Sequence, residues 1–170
     1  MKGKKTNLRH ADCAIARALQ ATGDWWSLLI VRDAIAGKQR FGEFQKSLGL
    51  AKNILSTRLK KLVEEGIFRI EPDEDSRRTH RYVLTPKGEG LGVILIAFWQ
   101  WGEGACFKPG ELKDTMVDRV KGLPLARLQL SAKDGRTLGP REYRRAERKT
   151  HSSAQAGRRP PKRKAIRPLQ

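Results

Sequence analysis

The feature that most constrains the fold is the segment KNILSTRLKKLVEEGIFR, residues 52–69, in which apolar residues recur with the period of an α-helix. At 100° per residue, its large aliphatic side chains gather within about a third of a turn and predict one buried face. These residues are Leu55, Leu59, Leu62 and Val63. Hydroxyl, amide and amine groups occupy the opposite side. Gly66 can end the helix with a positive φ, and residues 67–70 then predict a strand, so a helix with a polar outer face leads directly into a β-strand.

Three shorter helices are predicted before this segment. The first spans residues 12–23 and ends at Gly23. The second follows the capping residue Asp24, and it is apolar nearly all round, which places it at the centre of the core. The third spans residues 41–50 and is joined to the next helix by only LGLAK. A connection this short forces a sharp angle between two helices.

A hairpin and a further helix are predicted after the segment. Residues 67–71 and 81–85 alternate apolar and polar side chains as half-buried strands do, and they flank the turn-rich sequence PDEDSRRTH. Thr85-Pro86 then predicts the start of a helix that continues through KGEGLGVILIAFWQWGEG. The apolar stripe of that helix is wider than a small domain can bury, and a partner subunit would explain the surplus.

Alternating apolar residues predict a small β appendage over residues 109–140. The alternation involves Val117, Val120, Leu125, Leu128 and Leu130. The sequence Lys133-Asp134-Gly135-Arg136 that follows is typical of a hairpin turn.

Charge indicates the class of partner. The formal net charge is +18, and half of it lies in residues 141–170, a basic tail with almost no large apolar residues that we expect to be disordered. Residues 1–12 form a second, shorter basic arm. Such a charge favours a polyanionic partner, and nucleic acid is the leading candidate. No apolar stretch approaches the length of a membrane span or a secretory core, so a cytoplasmic protein without membrane contact is expected.

The order of predicted elements is that of a mainly α, winged helix-turn-helix domain with a small β wing, over residues 13–108. The residues resemble the HxlR family of bacterial and archaeal transcription regulators, which is related to the MarR regulators. The resemblance covers roughly residues 13–104 and rests on a set of spaced motifs. These are Cys13, Trp26 with Leu28 to Ile30, Gly37 with Arg40 and Phe41, Leu55 to Leu62, Gly66, and Tyr82 to Gly88.

The resemblance implies that the helix at 51–66 enters the major groove of double-stranded DNA, while the wing at 72–81 contacts the minor groove or the backbone. Candidate base contacts are Lys52, Asn53, Ser56 and Thr57, and candidate phosphate contacts are Lys60 and Lys61. Further candidates are Lys38, Arg40, Arg77, Arg78, His80, Arg81, and Arg58, which reaches either phosphate or the wing. For each side chain, the alternative is a simply solvated polar residue.

A homodimer is expected through apolar residues of the first and last helices. These residues are Ile15, Leu19, Leu91, Ile94, Leu95, Phe98 and Trp101. Cys13 opens the first helix, whose positive end favours a thiolate, and some members of the resembled family sense oxidants or electrophiles with that cysteine. The alternative that we favour is a small buried residue at the dimer seam, and the other cysteine, Cys106, is expected to be a free thiol. Phe98, Trp99 and Trp101 are more typical of packing than of an effector pocket.

Enzymatic chemistry finds little support in the sequence. His10, His80 and His151 lie far apart, without metal-ligand spacing, so we expect no catalysis, no bound metal and no cofactor. The sequence therefore predicts a homodimeric, sequence-specific repressor of the HxlR type, whose redox or small-molecule effector, if it has one, is unknown. The alternative is a basic structural or RNA-binding protein whose affinity is carried by the tail.

Overall fold

The computed structural model of the 170-residue chain describes residues 7–73 and 76–146, with only the backbone described at 76–78. The described elements follow the predicted order. They are α1 (Ala14–Thr22), α2 (Trp25–Ile35), α3 (Phe41–Leu48), α4 (Lys52–Glu64), β1 (Phe68–Asp73), β2 (Ser76–Leu84), α5 (Pro86–Glu89) and α6 (Leu91–Ala105). Most of the predicted basic tail and half of the basic arm lie outside the described residues.

The core forms where α2, α3 and α4 meet the base of the wing. The buried apolar residues are Ile30, Val31, Phe44, Leu50, Leu55, Leu59, Leu62, Ile67, Phe68 and Tyr82. The rings of Phe44, Phe68 and Tyr82 meet edge to face, with centroids 6.3 to 6.5 Å apart. Burying one large aliphatic or aromatic side chain stabilises a fold by about 1.5–3 kcal/mol. The burial of these residues together holds the three helices against one another.

Local caps and glycines set the angles between the helices. The Asp24 carboxylate accepts a hydrogen bond from the Ser27 backbone N–H at 3.0 Å and so starts α2. The turn between α3 and α4 passes through Gly49 with φ +64°, a left-handed conformation in which a side chain would be strained. The helix-turn-helix predicted from the short LGLAK connection is therefore confirmed.

The wing is an antiparallel pair in register from Phe68↔Leu84 to Pro72↔His80. The turn before α3 is also hydrogen-bonded to the wing. The Tyr82 N–H donates to the Gln39 carbonyl at 2.8 Å. An isolated bridge joins the neighbouring pair, Arg40 and Arg81. The wing is thus tied by its backbone to the turn that opens the helix-turn-helix.

The helix predicted from Thr85 to the end of the tryptophan-rich stretch is two helices. Thr85 caps α5 as expected, since its Oγ1 accepts from the Gly88 N–H at 3.2 Å. The chain then breaks at Gly90, and α6 starts at Leu91. The run of glycines explains the break, because each glycine lowers helix stability by about 1 kcal/mol relative to alanine.

The prediction of β-strands in residues 109–140 is wrong. The described residues of this range contain only two isolated bridges, Val117↔Pro124 and Ser131↔Thr137. The Asp118 carboxylate accepts hydrogen bonds from the backbone N–H groups of Val120, Lys121 and Leu123, and so closes the loop between the two residues of the first bridge. These bonds, led by those from Lys121 and Leu123, lower the pKa of Asp118.

Two compact units divide the chain, residues 1–128 and residues 129–170. All the helices and strands named above belong to the first unit. Within the second unit, the structure describes residues 129–146, where Gly135 closes the predicted turn by donating to the Ala132 carbonyl at 2.9 Å. Among the helices that the structure describes, none is long and apolar enough to cross a bilayer.

Candidate nucleic-acid interface

The two faces predicted for α4 are both present. Leu55, Leu59 and Leu62 are fully buried against the core. The outward face exposes six polar residues, and they are Lys52, Asn53, Ser56, Thr57, Lys60 and Glu64. A rigid rod with a polar, exposed surface and an apolar attachment face is the shape that fits the major groove of B-DNA.

Two side chains on the exposed face are held by local hydrogen bonds. The Thr57 hydroxyl donates to the Asn53 carbonyl one turn earlier at 2.8 Å. The Asn53 side-chain oxygen accepts from the Ile54 N–H at 2.9 Å. These bonds restrict the rotamers of both side chains, so less entropy is lost when they meet a base edge.

Two other predicted contacts on α4 bind within the protein. The Arg58 Nε lies 2.5 Å from an Asp24 carboxylate oxygen, so it ties α4 to the start of α2. The Lys61 ammonium donates to the Gln20 carbonyl at 2.8 Å and lies over Gly23 at the end of α1. These two contacts hold α4 against the end of α1 and the start of α2. Both side chains are therefore engaged within the protein.

Arg40 lies at the junction between α3 and the wing. Its guanidinium donates two hydrogen bonds to the Asp73 carboxylate, at 2.6 and 2.8 Å. Its backbone N–H, and that of Gln39, donate to the Glu43 carboxylate at 2.8 Å each. These backbone bonds, from Arg40 and then Gln39, lower the pKa of Glu43 below its ordinary value, since they stabilise the ionised form.

Lys38 contacts the buried carboxylate of Asp33 in α2. The Lys38 ammonium is 3.7 Å from one carboxylate oxygen, and Arg32 donates to the other at 2.8 and 3.0 Å. Burial raises the pKa of Asp33, but the Ser47 and Arg32 hydrogen bonds and the charges of Arg32 and Lys38 outweigh it, so the net pKa is lowered. Asp33 therefore remains a carboxylate.

The wing brings one candidate to the surface and partly buries another. His80 is exposed, with its Nε2 3.0 Å from the Tyr82 hydroxyl. Arg81 is half buried, and it reaches Glu71 at 3.7 Å and the Gln39 side chain at 3.4 Å. Burial raises the pKa of Tyr82, so its hydroxyl stays protonated at neutral pH. The predicted roles of Arg77 and Arg78 concern side chains outside the described part of the chain.

Exposed apolar side chains also lie on α1 and on α6, and we refer to them together as the apolar surface of α1 and α6. Of the seven residues predicted at a dimer interface, Leu91 and Leu95 are half buried and pack against the core. The other five are exposed, and they are Ile15, Leu19, Ile94, Phe98 and Trp101. Trp25 was expected in the core, but it is 61% exposed and stacks on Trp26 with centroids 4.0 Å apart. Large apolar side chains grouped on an exposed surface are typical of interaction sites.

Neither Cys13 nor Cys106 is in a disulfide, and both are exposed. Cys13 immediately precedes the first residue of α1. Burial of Cys13 within the protomer is therefore not observed. In the part of the chain that the structure describes, no cluster of three or more His, Cys, Asp or Glu side chains could hold a metal ion.

Sequence reasoning missed the acidic partners. The sequence predicts only a capping role for Asp24 and no ion pair for Asp73, whereas each carboxylate holds an arginine distant in sequence. The available signal was weak. Asp73 lies close to several arginines in sequence, whereas residues 18–31 around Asp24 contain no arginine or lysine, so nothing local to either acid identifies which cation it meets.

The fold and this interface define a winged helix-turn-helix protein. The chain belongs to the HxlR-like helix-turn-helix family, whose model matches residues 21–108. That match places the helix-turn-helix, the wing and α6 within one family unit and leaves α1 largely before it.

Several relatives are described as HTH-type transcriptional regulators. Rv3095 of Mycobacterium tuberculosis and Mb3122 of Mycobacterium bovis are each 39% identical over 90 residues, or 53% of this chain. This chain spans 57% of the length of those two relatives. YvaP of Bacillus subtilis is 34% identical over 86 residues, which are 50% of this chain and 80% of YvaP.

Solved structures with the same fold include two described as candidate transcription factors. PA1607 is 48% identical, with a TM-score of 0.79 over 84% of this chain and all of that one. PA1374 of Pseudomonas aeruginosa is 39% identical, with a TM-score of 0.57 over 84% of this chain and 96% of that one. The reduced form of the redox regulator HypR is 27% identical, with a TM-score of 0.50 over 54% of this chain and 92% of that one.

Proposed function

We propose that this protein is a sequence-specific DNA-binding transcription regulator, which acts in the cytoplasm as a homodimeric repressor. The observation that carries the proposal is the exposed polar face of α4, held by three fully buried leucines on the opposite side. The family match and the names of the relatives support the same function.

In this proposal the first turns of α4 read base edges. Lys52, Asn53, Ser56 and Thr57 supply hydrogen-bond donors and acceptors in the major groove, and Lys60 approaches a phosphate one turn later. Arg58 and Lys61 act indirectly, because their described partners are Asp24 and the Gln20 carbonyl. The wing lies against the adjacent minor groove or backbone, with His80 exposed on it and Arg81 half buried.

A second copy of the chain covers the apolar surface of α1 and α6. Burial of exposed residues such as Phe98, Trp101 and Ile15 supplies the driving force for association. A twofold axis through that interface presents two α4 helices. The site then consists of two half-sites about one helical turn, roughly 34 Å, or a multiple of it apart.

Duplex selection from a random pool tests the proposal. The full chain should enrich a pseudo-palindromic sequence, and a chain lacking residues 141–170 should keep that preference while losing part of its affinity at low salt. The alternative function, in which the basic tail carries the affinity, predicts the opposite. The truncated chain would then lose its binding, and the full chain would bind all duplexes alike with a steep salt dependence.

Redox control at Cys13 is the second candidate, and two observations favour it. The thiol is exposed at the start of α1, the helix that carries Ile15 and Leu19 of the proposed dimer surface. HypR, which shares the fold, is a redox regulator. Mild peroxide treatment should change the DNA affinity of the wild type and of Cys106→Ser, but not that of Cys13→Ser. An equal response in all three proteins would contradict the assignment.

A further inference from the structure

A buried carboxylate joins three segments of the chain at the root of the wing. The Asp73 side chain is only 2% exposed at the end of β1. It accepts two hydrogen bonds from the Arg40 guanidinium, at 2.6 and 2.8 Å, and one from the Thr79 hydroxyl of β2 at 3.1 Å. We call Arg40, Asp73 and Thr79 the wing clamp.

The clamp lies where backbone pairing becomes irregular. The register of β1 against β2 shifts between Pro72 and Asp73, and Pro72 has no N–H to donate to a ladder. Beyond this point Asp73 pairs with Ser76 in the altered register. The side-chain bonds of Asp73 therefore add a second connection across the hairpin, at the position where the regular ladder stops.

Arg40 is fixed at two points. Its backbone forms a bridge to Arg81 in β2 and begins α3, where its N–H donates to Glu43. Its guanidinium reaches the last residue of β1. Because the same residue is anchored to both strands and to the start of the helix-turn-helix, it transmits the orientation of α3 to the wing.

We propose that Asp73 is a positioning residue for DNA binding, which holds the wing at the angle that lets it reach DNA on the flank of α4 by fixing the Arg40 guanidinium. The inference rests on the proposed DNA-binding function. Arg40 then contributes to DNA binding through the wing and not through a phosphate contact of its own. A bidentate arginine–carboxylate pair suits this role because its geometry is planar and directional.

The direction in which Asp73→Asn changes the affinity for DNA separates a positioning role of Asp73 from a purely electrostatic one. Removing a negative charge near DNA should by itself increase the affinity of a basic protein, since one less carboxylate repels the phosphates. Asp73→Asn removes that charge and also the second carboxylate oxygen of the clamp. If Asp73 positions the wing, affinity falls instead. A wing that no longer reaches the flanking DNA loses its contacts in the bound complex, and we expect about tenfold weaker binding.

The experiment measures the affinity of the full chain for its selected duplex. Asp73→Asn is compared with Glu64→Gln, which removes a 59% exposed carboxylate at the end of α4, outside the clamp. We expect weaker binding for Asp73→Asn and equal or tighter binding for Glu64→Gln. Hydroxyl-radical footprints at saturating protein should lose protection only at the outer flanks under the wings, a pattern that general destabilisation does not produce.

Arg40→Lys provides an independent test, including the case in which Asp73→Asn does not fold. Lysine keeps the positive charge but cannot form the two-pronged bond, so the clamp predicts weaker binding and the same loss of flank protection. A direct phosphate contact predicts little change. Asp73→Asn that folds and binds as tightly as Glu64→Gln, or Arg40→Lys that binds as wild type, overturns the clamp alone. A wild-type chain that selects no duplex overturns the proposed function with it.

Discussion

Asn53 and Thr57 lie on successive turns of the exposed face of α4, and local hydrogen bonds hold both side chains. In the proposed complex both side chains meet base edges, where a good bidentate contact is worth about 1–3 kcal/mol of discrimination between base pairs. Their position one turn apart fits two adjacent base pairs. Neither side chain belongs to the core, so both can be removed without creating a cavity.

We expect the double substitution Asn53→Ala, Thr57→Ala to relax sequence preference by about 1–3 kcal/mol while leaving the melting temperature close to that of the wild type. The measurement is competition between the selected duplex and a scrambled one. An equivalent change at the C-terminal end of the helix, Glu64→Gln, serves as the control and should keep the preference. A double variant that still prefers the selected duplex to the same degree would show that α4 is not the reading helix.

The ionised carboxylate of Glu43 stabilises the start of α3, so the stability of the protein depends on pH in the acid range. Backbone hydrogen bonds from Arg40 and Gln39 lower its pKa below the ordinary 4.5. A carboxyl group with a lowered folded-state pKa stabilises the fold above its unfolded-state pKa, and that contribution is lost as pH falls through the folded-state pKa. The ionised carboxylate is thus part of the structure at neutral pH.

We expect Glu43→Gln to be less stable than the wild type at pH 7, with the difference in unfolding free energy shrinking as pH falls below about 4.5. Urea unfolding at a series of pH values measures this difference directly. A difference that stays constant down to pH 3 would mean that the ionised state of Glu43 does not contribute.

At the scale of elements, α5 is held against the wing by a close backbone approach. A Cβ built on Gly88 would lie 2.3 Å from the Ile67 carbonyl oxygen and 2.8 Å from a Leu84 methyl carbon. The Ile67 carbonyl oxygen belongs to the backbone, so it cannot move aside without disturbing the residues that lead into β1. In contrast, a Cβ on Gly42 in α3 would meet nothing within 4 Å.

We expect Gly88→Ala to destabilise the protein by about 1–3 kcal/mol, the usual effect of overpacking. Gly42→Ala is the matched control and should stabilise it by up to about 1 kcal/mol, because alanine loses less entropy in a helix. Thermal unfolding of the two variants checks both signs. Equal melting temperatures would contradict the close approach of α5 to β1.

At the scale of the whole molecule, the feature that matters is the apolar surface of α1 and α6. Trp101 is 66% exposed in one protomer and Phe98 is 56% exposed, which is unusual for side chains of this size. The proposed homodimer explains that exposure, and it also explains how one short helix can specify a long site, because two half-sites are read together.

We expect Trp101→Glu to convert the dimer to a monomer, because it would place a charge in an apolar interface. Binding to a palindromic duplex should then weaken by about a hundredfold through loss of avidity, while half-site binding persists. Analytical ultracentrifugation and duplex titration provide the measurements. Val120→Glu, at a residue that is 92% exposed and outside α1 and α6, should stay dimeric. A dimeric Trp101→Glu would assign self-association to another surface.

The sequence alone determined the order of helices, the position of the wing and the two faces of α4. These features follow from local interactions: a repeat of 3.6 residues, caps at Asp24 and Thr85, and glycines where the chain turns sharply. The strands predicted in residues 109–140 depended on more than local interactions. Alternating leucines predict a strand only where a partner strand exists, and whether one exists is not a local property.

The tertiary structure alone decided what the basic residues contact. Arg40 meets Asp73 across 33 positions and Lys61 meets the Gln20 carbonyl across 41, so no local pattern could distinguish these cations from Lys52 or Lys60 on the exposed face. It also decided that Trp25 lies at the surface, although it stands in an apolar helix. The physical reason is the same in each case. Periodicity specifies which way a side chain leaves its own helix, whereas its partner is set by how distant segments pack.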